Sequence, residues 1–219
     1  MKIIYTFFRY CPHIVATLVV ALFCAANTSP AIAAATQPHA NSAFTAMLLG
    51  QAVSLPLLLL PVFFTLGFPE RQEILRQWFA RPPCSVSGIL YAFLLMTTCS
   101  YILLIVIEPS ESQSIVAIFQ LLSGWQIIIF SLFVCIIVPI IEELLFRGVL
   151  MMHLPKTFAI IISAILFGLA HGINAYVLPL LFTGWMLALI RYRSESLIPS
   201  ICCHALFNTL SLFFALAVK

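Results

Sequence analysis

Charged side chains make up only 8% of this 219-residue chain, while 63% of it is hydrophobic. A soluble domain carries roughly 25% charged residues. No soluble core can hide so much apolar sequence, so the composition excludes a soluble protein and implies an integral membrane one. A basic stripe with interleaved aromatics is also missing. The net charge of +3 is scattered between apolar runs, which argues against a nucleic-acid partner. The seven cysteines, Cys11, Cys24, Cys84, Cys99, Cys135, Cys202 and Cys203, form no CxxC pair, and most lie in apolar runs. They read as small hydrophobes rather than as a disulfide framework or a metal site. There is no internal repeat, and the one biased tract is the Ala-rich "SPAIAAAT". GxSxG and HExxH are both absent, which removes the nucleophile elbow and the ordinary helical zinc protease.

What is present is a series of apolar segments, at about 14–26, 44–68, 89–107, 125–152, 157–172, 175–190 and 197–218. Turn chemistry separates them, in "NTSP", "FPER", "RPPCS", "EPSES", "HLPK" and "RYRSES". The expected fold is all-α, a polytopic transmembrane helix bundle of about six or seven spans. Residues 1–40 form a signal-like or first transmembrane segment: Lys2 and Arg9 precede a short apolar run and the small residues "AIAAA". A cleaved signal peptide and a retained helix both fit that pattern. Residues 41–124 are membrane helices without a motif, and 125–216 form the core that carries the chemistry.

With a cytoplasmic N-terminus, alternation puts Lys2, Arg9, Arg71, Arg76, Arg81, Arg147, Lys156, Arg191 and Arg193 on the cytoplasmic side. Only Lys219 falls outside, as the positive-inside rule requires. The expectation is a multi-pass protein of the cell (inner or plasma) membrane, with Cys84 facing the cytoplasm. Trp125 reads as an interface anchor and Trp185 as a deeper packing residue. The 19 phenylalanines read as lipid-facing and packing surface. His13, His39 and His153 read as structural or solvated.

A second scarcity directs attention to the site. Few strongly polar side chains remain inside the spans, and a charge at a helix centre costs roughly 2.5–3.5 kcal/mol. The exceptions are Glu142, Glu143 and Arg147 in "IIEELLFRGVLM", His171 in "FGLAH", and His204 and Asn208 in "HALFN". Glu143 and Arg147 stand i,i+4 in the favourable acid-first order. Glu142 is rotated about 100° from Glu143 and is not consumed by that pair. Phe167 and His171 repeat the i,i+4 spacing, as do His204 and Asn208. At 1.5 Å per residue, Glu142, His171, His204 and Asn208 lie about 12–21 Å from their cytoplasmic helix ends. That depth is near the middle of a hydrocarbon core roughly 30 Å thick. The fourth apolar segment must therefore continue as helix past Arg147, and the four groups should meet in one polar site.

A carboxylate and an imidazole can hold and deprotonate a water. A second imidazole and an amide can donate to a developing oxyanion. Those are parts for hydrolysing an amide. Each residue also has a plainer reading. Glu143–Arg147 alone is as well explained as a structural ion pair, and a lone histidine as an interhelical hydrogen bond. A Glu/His set also suits a proton relay in a transporter, although no inverted repeat or pair of broken helices supports one. Glu142, His171 and His204 could equally supply three zinc ligands.

"EELLFR", "FGLAH" and "HALFN" together resemble the EExxxR, FxxxH and HxxxN motifs of the CPBP family. This family contains the type II CAAX prenyl endopeptidases and their bacterial Abi-like relatives. The resemblance spans roughly residues 125–216. It implies an intramembrane endopeptidase in which Glu142 and His171 activate water and His204 and Asn208 stabilise the oxyanion. Glu143 and Arg147 would then be a supporting ion pair, with Phe167 beside them. It implies no cofactor, with zinc as the alternative. A protein or peptide substrate is implied, CAAX-like or related to bacteriocin processing. A non-proteolytic binding, scaffold or immunity protein would keep the same residues.

Overall fold

The computed structural model describes residues 68–82, 85–107, 122, 124–152, 154–172 and 174–217. The apolar runs 14–26 and 44–67, the 108–114 loop, Cys84 and His153 lie outside these residues. Among the described residues every regular element is helical. They are α1 Phe68–Trp78, α2 Val86–Ile107, α3 Trp125–Leu150, α4 Lys156–Ala170, α5 Val177–Ser194 and α6 Leu197–Ala217. Three helices are long and apolar enough to cross a membrane: Val86–Ile107, Trp125–Leu150 and Leu197–Phe214. The protein is a helical membrane protein.

Its surface is inverted relative to a soluble bundle. Ile161, Ile165 and Leu169 recur every fourth residue on α4 and are all exposed, as are Ile128, Leu132 and Ile136 on α3. An apolar stripe of that spacing suits a lipid solvent, in which no apolar helix face needs burying. Between the helices, apolar clusters such as Phe93, Met96, Met186 and Phe207 are joined by small and polar groups. Ser100 on α2 shares a 2.9 Å hydrogen bond with Thr183 on α5, and the Tyr101 hydroxyl donates to Ser211 on α6. The Ser163 hydroxyl of α4 donates to the Phe146 carbonyl of α3. A Cβ on Gly168 would lie 2.8 Å from Leu181, so α4 and α5 approach at a separation that a larger residue would prevent.

Three expectations change. The 69–82 stretch, read as a seam, contains the amphipathic helix α1. Its Trp78 is buried against Val149 and Leu197, and its Trp78 carbonyl accepts from Ser196. Gln77 donates to Glu73 one turn away, so local pairing supports a helix that hydropathy alone passes over. Arg147 is not a flanking cytoplasmic charge: it is 1% exposed inside α3, so it drops out of the orientation argument. Trp185 is half-exposed on the outside of α5, with its ring 5.8 Å from that of Phe182, rather than packed in the interior.

Helix α3 runs past Arg147, as the glutamates require, but it is not a uniform α-helix. It widens into π-turns at Phe133–Ile137 and again at Leu144–Leu150. Single π-turns of this kind concentrate at functional sites. Helix α4 keeps close to the expected 157–172 limits. It has 15 residues, about 22 Å, against a hydrocarbon core of roughly 30 Å. It ends because Gly172 takes φ 94° and turns the chain, with the His171 and Gly172 N–H groups bonding the Gly168 and Leu169 carbonyls. His171 therefore caps the end of α4.

Candidate active site

Glu143 and Arg147 are the innermost charges. They form a 2.8 Å ion pair within α3, with both side chains fully buried. The other terminal nitrogen of Arg147, Nη2, donates to the Gly184 carbonyl of α5 at 2.8 Å, and the guanidinium carbon lies 4.5 Å from the Phe167 ring centre. A buried guanidinium is tolerated only with such partners. The same Glu143 oxygen that holds Arg147 also faces His204 Nδ1 on α6 at 3.0 Å. One carboxylate thus ties α3 to α5, through Arg147, and to α6.

His171 Nδ1 lies 2.8 Å from the Phe167 carbonyl, which can only accept. His204 Nδ1 faces a carboxylate, which can also only accept. These partners place a proton on Nδ1 of each ring and turn each Nε2 toward Glu142. The two Nε2 atoms converge on Glu142, at 3.9 Å for His171 and 3.7 Å for His204. Neither distance is a hydrogen bond. Glu142 and the two Nε2 atoms thus surround one point, at which a water can be held between the carboxylate and the imidazoles.

Phe167 organises this cluster. Its ring centre is 4.8 Å from that of His171 and 5.5 Å from that of His204. Its place is made by Gly184, where a Cβ would come within 3.0 Å of the Phe167 ring. Hydropathy and motif reading both passed over Gly184, and only the close approach of α4 and α5 reveals it. Gly184→Ala is expected to push Phe167 and the two imidazoles out of register and to destabilise the protein by about 1–3 kcal/mol. Thermal unfolding of the purified variant checks this, and an unchanged melting temperature refutes it.

Glu142, Glu143, Arg147, Phe167, His171 and His204 are thus brought together. Glu142 and His204, which a shared site requires to be neighbours, are in contact range. Glu142 and His171 keep 21% and 32% of their side chains exposed, so the convergence point can be reached from outside. Asn208 follows His204 by one turn but is directed elsewhere: its amide donates to the Val134 carbonyl of α3 at 3.0 Å.

Comparison with known proteins covers this part of the chain. Residues 124–210 match the family model described as type II CAAX prenyl endopeptidase Rce1-like. A stretch of 86 residues is 35% identical to UPF0177 protein YxdF of Lactococcus lactis subsp. lactis (strain IL1403). That match covers 38% of this chain and 47% of the relative, so the chain spans about half the length of the relative it matches. No solved structure matches.

Proposed function

We propose, from the premise that residues 124–210 belong to the Rce1-like family, that this membrane protein is an intramembrane endopeptidase using a Glu/His-activated water. The observation that carries the reading is the convergence of Glu142 with two imidazoles whose Nδ1 positions are already engaged. A water at that point donates one hydrogen to Glu142 and is oriented by His171 Nε2. Glu142 removes its proton as the oxygen attacks the peptide carbonyl carbon. His204, in its imidazolium form beside Glu143, donates from Nε2 to the oxyanion as it develops. The proton taken by Glu142 then goes to the leaving amine as the C–N bond breaks. Glu143 and Arg147 hold the donor in place and take no part in the bond changes.

The substrate class proposed is a protein or peptide segment, CAAX-like or related to bacteriocin processing, that reaches the site from the bilayer. The proposed location is the cell membrane, with the basic ends of α1, α4 and α5 in the cytoplasm. Zinc is the alternative cofactor, because two imidazoles and a carboxylate are the right kinds of donor. No step above is routed through a metal ion.

The test is proteolysis of a peptide library by the purified protein, read by mass spectrometry, with Glu142→Ala as the control. Activity is expected to persist after prolonged chelation, with metal content measured on the same sample. Loss that tracks metal removal and returns with zinc makes His204 a ligand instead of an oxyanion donor. Cleavage that is identical in Glu142→Ala removes the reading and leaves a binding or immunity protein.

A further inference from the structure

Pro139 stands three residues before Glu142, inside α3. A proline within a helix has no N–H, and its ring crowds the carbonyl four residues back. Here the backbone widens into the π-turn Phe133–Ile137 directly ahead of it. The Val138 N–H bonds the Phe133 carbonyl, five residues back. This strands the carbonyl of Val134. Its α-helical donor would be the Val138 N–H, which is taken. Its π-helical donor would be residue 139, which is proline. Val134 is buried, and an unmet carbonyl in such surroundings is strongly disfavoured. The missing donor comes from another helix: Asn208 Nδ2 of α6, at 3.0 Å.

We infer that Asn208 is a positioning residue: it stabilises the π-turn that Pro139 imposes and thereby fixes the helical phase at which Glu142 faces His171 and His204. A π-turn adds one residue to a turn of helix, so each later side chain is rotated by about 100° relative to an uninterrupted α-helix. A one-residue slip would carry the Glu142 carboxylate away from both imidazoles and would break the Glu143–His204 contact. Asn208 and His204 are successive turns of α6, and each bonds α3, one at the π-turn and one at the glutamates. The pair sets register between the two helices. Pro139 lies outside the three motifs and becomes part of the site's design through this bond.

The kinetic consequence rests on the hydrolase reading, whereas the structural one does not. The experiment therefore measures both on four full-length proteins in one detergent: parent, Asn208→Ala, Pro139→Ala and the double variant. Alanine at position 139 restores an N–H that can bond the Val134 carbonyl, so Asn208 is no longer needed there. In the parent background, Asn208→Ala is expected to lower Tm and to reduce kcat by about tenfold or more, with KM little changed. In the Pro139→Ala background, the same substitution should leave Tm unchanged and alter kcat by less than about threefold. Equal kcat losses in both backgrounds with no change in Tm would make Asn208 a direct oxyanion donor and overturn the inference. If the parent cleaves nothing, the hydrolase reading fails on its own, and equal Tm losses in both backgrounds overturn the positioning role separately. Should Pro139→Ala fail to fold, Asn208→Asp replaces the donor with an acceptor of the same size. It should lower Tm, and an unchanged Tm refutes the bond's importance.

Discussion

Glu142→Gln is expected to reduce hydrolysis by about 10³-fold or more while leaving the protein folded, the lower end matching the loss of a general base. The asymmetry between activity and stability follows from how Glu142 is held. It makes no hydrogen bond to either histidine, with separations of 3.7 Å and 3.9 Å, and it keeps part of its surface exposed. Glutamine has the same shape and fills the same place beside the two imidazoles. The variant should therefore be as stable as the parent. It cannot take a proton from water. Cleavage of a peptide library and thermal unfolding, measured on the same preparation, test both halves of the claim. An unfolded Glu142→Gln protein beside a stable Glu143→Gln one would show that the two glutamates have been assigned backwards.

How far these roles could be read without coordinates depended on the scarcity of charge. In a chain with 8% charged residues, each buried polar side chain is conspicuous. The i,i+4 spacing was enough to pair Glu143 with Arg147 and to set Glu142 apart. Helix continuation through Arg147 was legible for the same reason, since ending the helix earlier would have left the glutamates at the surface. The segments from 86 to 217 also emerged close to their observed limits, because long apolar runs between turn residues leave little choice. What could not be read was any departure from uniform α-helix. Periodicity arguments assume 3.6 residues per turn, so both π-turns of α3 were invisible, and with them the stranded Val134 carbonyl that draws Asn208 away from His204's side. Pro139 was the available signal. Gly184 was missed because only packing between two helices gives a glycine its meaning.

The buried pair gives the largest expected effect on stability. Glu143→Ala leaves Arg147 fully desolvated without its hydrogen-bonded carboxylate, with only the more remote charge of Glu142 on the same helix, and such a loss costs about 3–5 kcal/mol. Arg147→Met should be comparably severe, because Glu143 would lose its buried counter-charge. Both single variants are expected to lose much of the folded protein in detergent and to be inactive. The informative variant is the double one, Glu143→Leu with Arg147→Met. Removing both charges together replaces a buried ion pair by apolar groups of similar volume, which is often neutral or stabilising by about 1–4 kcal/mol. Folding should therefore return. Activity should not, because His204 loses the carboxylate 3.0 Å from its Nδ1 that fixes its tautomer and supports its imidazolium. Melting temperatures and cleavage rates of the four proteins separate these outcomes. A double variant that recovers both folding and cleavage would show that the pair serves stability alone and that His204 needs no orienting partner. A double variant that remains unfolded would show that the Arg147 bond to the Gly184 carbonyl, and its position over Phe167, hold the helices together in a way apolar packing cannot replace.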